Sequence, residues 1–180
     1  MSELAPGPVR PPIFVFGGDF YLHIARSVKD AVKHASDHVR VGASASGFDR
    51  FEFFDVNGQQ LKPLGPPDRL EGFEVTDRAQ ELGTSDRAER LVAAGGSRYV
   101  EDRVRRIIRK HRATLRAALP DVPENFMPLA QAMLDDQSDF SSLVRGLASR
   151  AITNSQHFGS PHSGGPMHQA CHALHLPWCQ

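Results

Sequence analysis

The stretch "RFEFFDVNGQQLKPL", residues 50–64, decides the fold of the first half of the chain. Two runs rich in aromatic and aliphatic residues, typical of β-strands, flank the dipeptide Asn57-Gly58. Asn-Gly favours a two-residue type I′ turn, because both central residues of that turn need a positive φ. Pro63 and the "GPP" at 65–67 end the second run. The stretch therefore predicts a β-hairpin.

Upstream of this hairpin, the segment "PIFVFGG" (residues 12–18) has the composition of a buried strand. The segment that follows, residues 19–39, has apolar residues spaced four apart from Phe20 to Val28, which indicates a helix with Asp19 as its N-cap. The two glycines between them are interpreted as a strand-to-helix turn. A phosphate-binding loop is the alternative, but a carboxylate at the N-cap would compete with an anion there.

Downstream of the hairpin, "FEVTD" (residues 73–77) predicts one more strand, and the remaining chain is mostly helical. Pro120 and Pro123 end the longest helical segment. The predicted class is α+β: a small N-terminal sheet built as strand, helix and hairpin, then a helical C-terminal half and a Gly/Ser/Pro/His-rich tail. The predicted helices after the sheet cover residues 84–94, 97–119, 124–134 and 139–152.

The composition along the chain predicts three regions. Residues 1–11 are expected to be a flexible proline-rich leader, and residues 12–153 a single α+β domain. Residues 154–180 are interpreted as a linker followed by a His/Cys-rich tail, because Gly, Ser and Pro separate this tail from the periodic segments.

Charge is segregated along a chain whose formal net charge is +0. Residues 49–89 hold ten acids and five bases, whereas residues 103–116 hold seven bases and no acid. On a helix of about residues 97–118 these bases would lie opposite an apolar face. They are predicted as partner-binding residues: Arg103, Arg105, Arg106, Arg109, Lys110, Arg112 and Arg116.

This basic helix favours an acidic protein surface as its partner. Arginine suits bidentate contacts to carboxylates and phosphates. Nucleic acid remains an alternative, but no aromatic residue is interleaved with the bases, and stacking on single strands needs one. A third interpretation is that the bases are solvated or paired internally with the acidic stretch 49–89.

The tail carries a candidate metal site. On a helix, residues spaced three and four apart share a face, and imidazole with thiolate suits Zn²⁺ or copper. One face cannot enclose an ion alone, so a second arm is required. Other interpretations are a docked or disordered end, a shifted reading frame and a substrate for modification. The predicted ligands are His168, Cys171, His172, His175 and Cys179, with His157 and His162 as the second arm.

No arrangement of nucleophile, base and acid in the sequence matches a catalytic pattern, so an enzyme is not favoured. The leading hypothesis is a non-enzymatic interaction or regulatory protein that binds an acidic partner and requires no cofactor. Without an apolar signal sequence or an apolar run of membrane-spanning length, a soluble cytoplasmic protein without membrane contact is expected. The alternatives are a metal-binding protein and a nucleic-acid-binding accessory protein.

Overall fold

A computed structural model describes residues 8–41, 51–66, 69–76 and 96–148, together with Leu174 and Leu176. These residues have an α+β fold, with a five-stranded antiparallel sheet in the N-terminal half and helices mostly in the C-terminal half. The fold class predicted from the sequence is confirmed. The strands are β1 (Ile13–Gly17), β2 (Tyr21–Ala25), β3 (Phe51–Phe54), β4 (Gln60–Leu64) and β5 (Gly72–Val75). The helices are α1 (Val28–Val41), α2 (Gly96–Lys110), α3 (Arg112–Ala118), α4 (Met127–Leu134) and α5 (Phe140–Ala148), with 3₁₀ turns at Leu119–Asp121 and Glu124–Phe126.

The strands are ordered β2-β1-β3-β4-β5 in the sheet. Strand β1 runs antiparallel to β3, with Phe14 opposite Phe54, and β4 runs antiparallel to β5, with Leu61 opposite Val75. The predicted strands 12–18 and 73–77 are both present within one or two residues.

The predicted helix 19–39 is wrong in its first third, where the chain forms the extended strand β2 instead. Helix α1 begins only at Val28. Its start is fixed by Ser27, whose Oγ accepts the N–H of Asp30 at 3.1 Å, an N-cap contact. Asp19, the predicted N-cap, lies in the turn that joins β1 to β2, so the two glycines precede a hairpin turn and not a helix.

The central hairpin is present, but its turn is not the predicted type I′. The N–H of Gly58 donates to the carbonyl of Asp55 at 2.9 Å, which makes Val56 and Asn57 the central residues. Gly58 follows them with φ 70°. This arrangement matches a type I turn followed by a left-handed residue. The carboxylate of Asp55 stabilises it, because its Oδ1 accepts N–H groups of both Asn57 and Gln59 at 2.9 Å.

The core around the sheet is aromatic. The rings of Phe14 and Phe16 stack with centroids 6.4 Å apart, and Phe16 meets Phe54 edge-on at 5.8 Å. Tyr99 at the start of α2 lies 5.6 Å from Phe54. Strand β1 is buried on both faces, since its first four residues are at most 1% exposed. This explains why its sequence is continuously apolar and not alternating.

The predicted helix 97–119 is interrupted at His111. The N–H of His111 donates to the carbonyl of Ile108, three residues back, at 3.0 Å, so the turn tightens locally. Helix α3 resumes at Arg112. The apolar face continues through both helices, since Val104, Ile107 and Leu115 are all buried. Helix α4 contacts α3 and α5.

The chain divides into two compact units at Gly18, His23 and Asp102. The first unit contains most of the sheet and α1, and the second contains residues 19–23 with the chain from Arg103 onward. The single domain predicted for 12–153 stays a prediction. In the described ranges no helix is both long and apolar enough to cross a membrane.

Three predicted segments fall largely or wholly outside the described residues: the leader 1–11, the helix 84–94 and the linker and tail 154–180. Two residues of the tail are described, and both are buried: Leu174 is 2% exposed and Leu176 is 4% exposed.

Candidate functional site

Among the described residues, positive charge is concentrated on one surface of the helices, which we call the arginine row. It consists of four residues of α2 and α3 at spacings of four, three and four, which places them along one side of the helix axis. All four belong to the second unit. The arginine row comprises Arg105, Arg109, Arg112 and Arg116.

Two members of the row meet one carboxylate. Nε of Arg109 donates to Oδ1 of Asp136 at 3.0 Å, and Nη2 of Arg112 donates to the same oxygen at 2.6 Å. Asp136 lies in the loop between α4 and α5, so this contact fixes the loop against the row. Two guanidinium groups therefore share a single negative charge.

Arg105 contacts the far end of the same loop. Its Nη2 donates to the carbonyl of Ser138 at 2.7 Å, and its guanidinium carbon lies 5.7 Å from the centroid of the Phe140 ring. The backbone carbonyl and the aromatic face hold the arginine against the loop.

The loop itself is held by its acids. Oδ1 of Asp135 accepts the N–H of Gln137 at 2.9 Å, and Oδ2 of Asp139 accepts the N–H of Ser142 at 2.7 Å. The second contact makes Asp139 the N-cap of helix α5. Asp135 and Asp139 therefore bind backbone N–H groups, whereas Asp136 is the acid whose carboxylate contacts the arginine row. The adjacent acids Asp135 and Asp136 point to different partners, as expected for neighbours along the chain.

The pKa of Asp136 lies below its usual value of 3.8, chiefly because Arg112 and then Arg109 donate hydrogen bonds to the carboxylate. Donors to the charged form stabilise it against protonation. The pKa of Asp139 is also lowered, first by the side-chain hydrogen bond from Ser142. Both carboxylates therefore stay ionised well into the acid range.

The opposite flank of the helix meets the turn between β1 and β2. Nζ of Lys110 lies 4.0 Å from the centroid of the Phe20 ring and 3.9 Å from Oδ2 of Asp19. Nε2 of His111 lies 3.4 Å from the carbonyl oxygen of Phe20, within hydrogen-bonding distance when that nitrogen carries its proton. The end of α2 is thus bordered by an exposed phenyl ring.

The other predicted bases occupy contrasting positions. Arg103 is 6% exposed and makes contacts of its own, so it is not part of the surface. Arg106 and Arg116 are exposed, and neither side chain has a hydrogen bond or ion pair to another described residue. The predicted set therefore separates into one buried arginine, four anchored bases and two whose side chains have no such contact within the described part of the chain.

Comparison with protein-family models, curated proteins and solved structures finds no match to this chain.

The predicted metal ligands of the tail all lie outside the described residues: His157, His162, His168, Cys171, His172, His175 and Cys179. Within the described part of the chain, no group of three or more His, Cys, Asp or Glu side chains could hold an ion. The zinc or copper prediction remains untested.

Two residues of the site were not predicted from sequence. No local signal in the sequence links Asp136 to arginines 24 and 27 residues away. Phe20 was placed on the apolar face of a helix. The signal that was missed is Ser27 with Asp30, a capping pattern that starts the helix later and leaves Phe20 in a turn.

Proposed function

We propose that this chain is a non-enzymatic, cytoplasmic interaction protein that binds an acidic segment of a partner protein along the arginine row. The observation that carries the proposal is the sharing of one oxygen of Asp136 by Arg109 and Arg112. A guanidinium has five N–H donors, and this contact uses one from each group. The pair keeps a net positive charge and most of its donors, which suits a second carboxylate.

The length of the row supports a short segment of extended chain as the ligand. From Arg105 to Arg116 the helix rises by about 16 Å at 1.5 Å per residue. An extended peptide covers that distance with about five residues. Its alternate side chains point the same way, so about three acids could face the row.

An acidic protein fits the surface better than nucleic acid does. The row already binds a carboxylate of its own chain, which shows that this spacing accepts that group. Sequence-tolerant binding of single strands uses aromatic rings interleaved with bases, and residues 103–116 contain no Phe, Tyr or Trp.

The proposal is tested by titrating fluorescently labelled polyglutamate with the full chain and following anisotropy at low salt. The test variant is Arg106→Glu with Arg116→Glu, because both side chains are exposed and neither breaks an ion pair among the described residues. The matched control is Lys29→Glu with Lys33→Glu on α1, which changes the net charge equally at another exposed site.

We expect the arginine variant to weaken binding by about tenfold or more, and the lysine variant by less than about twofold, since distant surface charges contribute little. Equal losses in the two variants would show that polyglutamate senses net charge only, and the proposal would then be wrong. Tighter binding of a DNA duplex, lost in the arginine variant alone, would instead support the nucleic-acid alternative.

A further inference from the structure

The ring of Phe20 is a large apolar surface that lies against Lys110, beside the basic residues of helix α2. It is 65% exposed, the highest value among the large apolar side chains that the structure describes. Both ends of the residue are held, the ring by the ammonium of Lys110 and the carbonyl by His111. An ordered, exposed aromatic ring favours contact with another apolar group, because it loses little conformational entropy on binding.

Helix geometry places Phe20 close to the row. Successive helical residues are rotated by about 100°, so Lys110 lies one step around the helix from Arg109. Arg106 precedes Lys110 by four residues and Arg109 by three, so it neighbours both. The exposed face around Arg106 and Arg109 is therefore bordered by the loop of Asp136 on one side and by Phe20 on the other.

We infer that Phe20 is an anchor for an apolar side chain, aromatic or aliphatic, that the acidic partner segment carries beside its carboxylates. This inference rests on the proposed function and adds to the partner's chemistry. The positive face would attract the acids, and burial of the ring against an apolar side chain would add an attraction that salt does not screen. The carboxylate of Asp19 repels the acids of the partner only weakly, because Nζ of Lys110 lies 3.9 Å from it.

The test compares two labelled polymers, polyglutamate and a copolymer of glutamate and tyrosine, on the full chain. The variant is Phe20→Ala. The control is Val56→Ala, which trims another exposed apolar side chain, 43% exposed, in the turn of the hairpin β3–β4. We expect the copolymer to bind the unmodified chain about fivefold more tightly than polyglutamate, the factor that one favourable aromatic pair provides.

In Phe20→Ala the two polymers should bind with about equal affinity, and the affinity for polyglutamate should be unchanged. Val56→Ala should keep the preference for the copolymer. Equal weakening for both polymers, or an unchanged preference, would overturn the anchor. If Phe20→Ala gives either of these results but Arg106→Glu with Arg116→Glu still weakens polyglutamate binding by about tenfold or more, the proposed function stands without the anchor. If neither polymer binds the unmodified chain, both are wrong. A larger effect of Phe20→Ala on anionic lipid vesicles than on the copolymer would assign the ring to a membrane surface and also overturn the inference.

Discussion

Nη2 of Arg112 lies 2.6 Å from Oδ1 of Asp136, although the two residues are 24 positions apart in the chain. The contact joins helix α3 to the loop between α4 and α5, and it places that loop beside the arginine row. Because Arg109 contacts the same oxygen, Asp136 holds both arginines beside the donors that we propose for a second carboxylate, from the partner. The acid therefore both orders the arginines and competes for them.

The pKa of Asp136 gives the first prediction. The folded pKa is below 3.8, mainly through the hydrogen bond from Arg112, so Arg112→Ala should raise it towards 3.8 and Arg109→Ala should raise it less. Since the folded pKa is depressed, the stabilisation by these contacts is fully present above the unfolded value and is lost as pH falls through the folded one. NMR titration of the side-chain carboxyl carbon measures the midpoint. Arg116→Ala is the control and should not move it.

The competition by Asp136 gives the second prediction. Asp136→Asn should increase the affinity for polyglutamate by about fivefold, because a negative charge no longer holds Arg109 and Arg112. Asp135→Asn removes the same charge from the same loop, but the Asp135 side chain binds the N–H of Gln137 and not the row, so it should change the affinity by less than about twofold. Anisotropy titration of both variants makes the comparison. Weaker binding by Asp136→Asn would mean that its ordering effect outweighs its competition.

A third prediction concerns the bend after β4. Gly65 has φ 120°, and a Cβ built on it would lie 2.3 Å from the carbonyl oxygen of Arg69. Gly65→Ala should lower the free energy of unfolding by more than about 2 kcal/mol, through backbone strain and this clash. Gly72→Ala is the matched control, since its Cβ would have no neighbour within 4 Å. Urea unfolding followed by circular dichroism should separate the two, and similar losses would contradict the strain argument.

The carboxylate of Asp55 gives the fourth prediction. It is 0% exposed, and its Oδ1 accepts the backbone N–H groups of Asn57 and Gln59. Asp55→Ala leaves both donors without this acceptor and should cost about 1–3 kcal/mol of unfolding free energy. Asp55→Asn keeps an acceptor oxygen and should cost less. Denaturant unfolding of the two variants measures the difference, and an equal or larger loss in the asparagine variant would contradict the role given to the acceptor oxygen.

The sequence predicted the hairpin because Asn57-Gly58 is a strong local signal, but it did not predict the turn type. The type depends on where the hydrogen bonds of Asp55 close the loop, and a carboxylate that binds two backbone N–H groups outweighs the dipeptide preference. The class and those later helices that the structure describes were also accessible, because periodicity is a local property.

The error over residues 20–25 has a physical cause. A strand buried on both faces has no alternating pattern, and four of the five residues of β2 are buried. The apolar spacing from Phe20 to Val28 then fits a helix by coincidence. The row itself was predictable from spacing, whereas its contact with Asp136 was not, because that pairing depends on how helices α3, α4 and α5 pack.

Strand β1 has a consequence for the order in which the molecule opens. It lies between β2 and β3, and its residues from Ile13 to Phe16 are at most 1% exposed. Backbone amides at such a position exchange their hydrogens with solvent only when the surrounding structure unfolds, whereas those of surface turns exchange through small local openings. We therefore expect the amides of β1 to be among the slowest to exchange. A polar side chain at any of these four positions would lower the global stability of the sheet rather than loosen one edge of it.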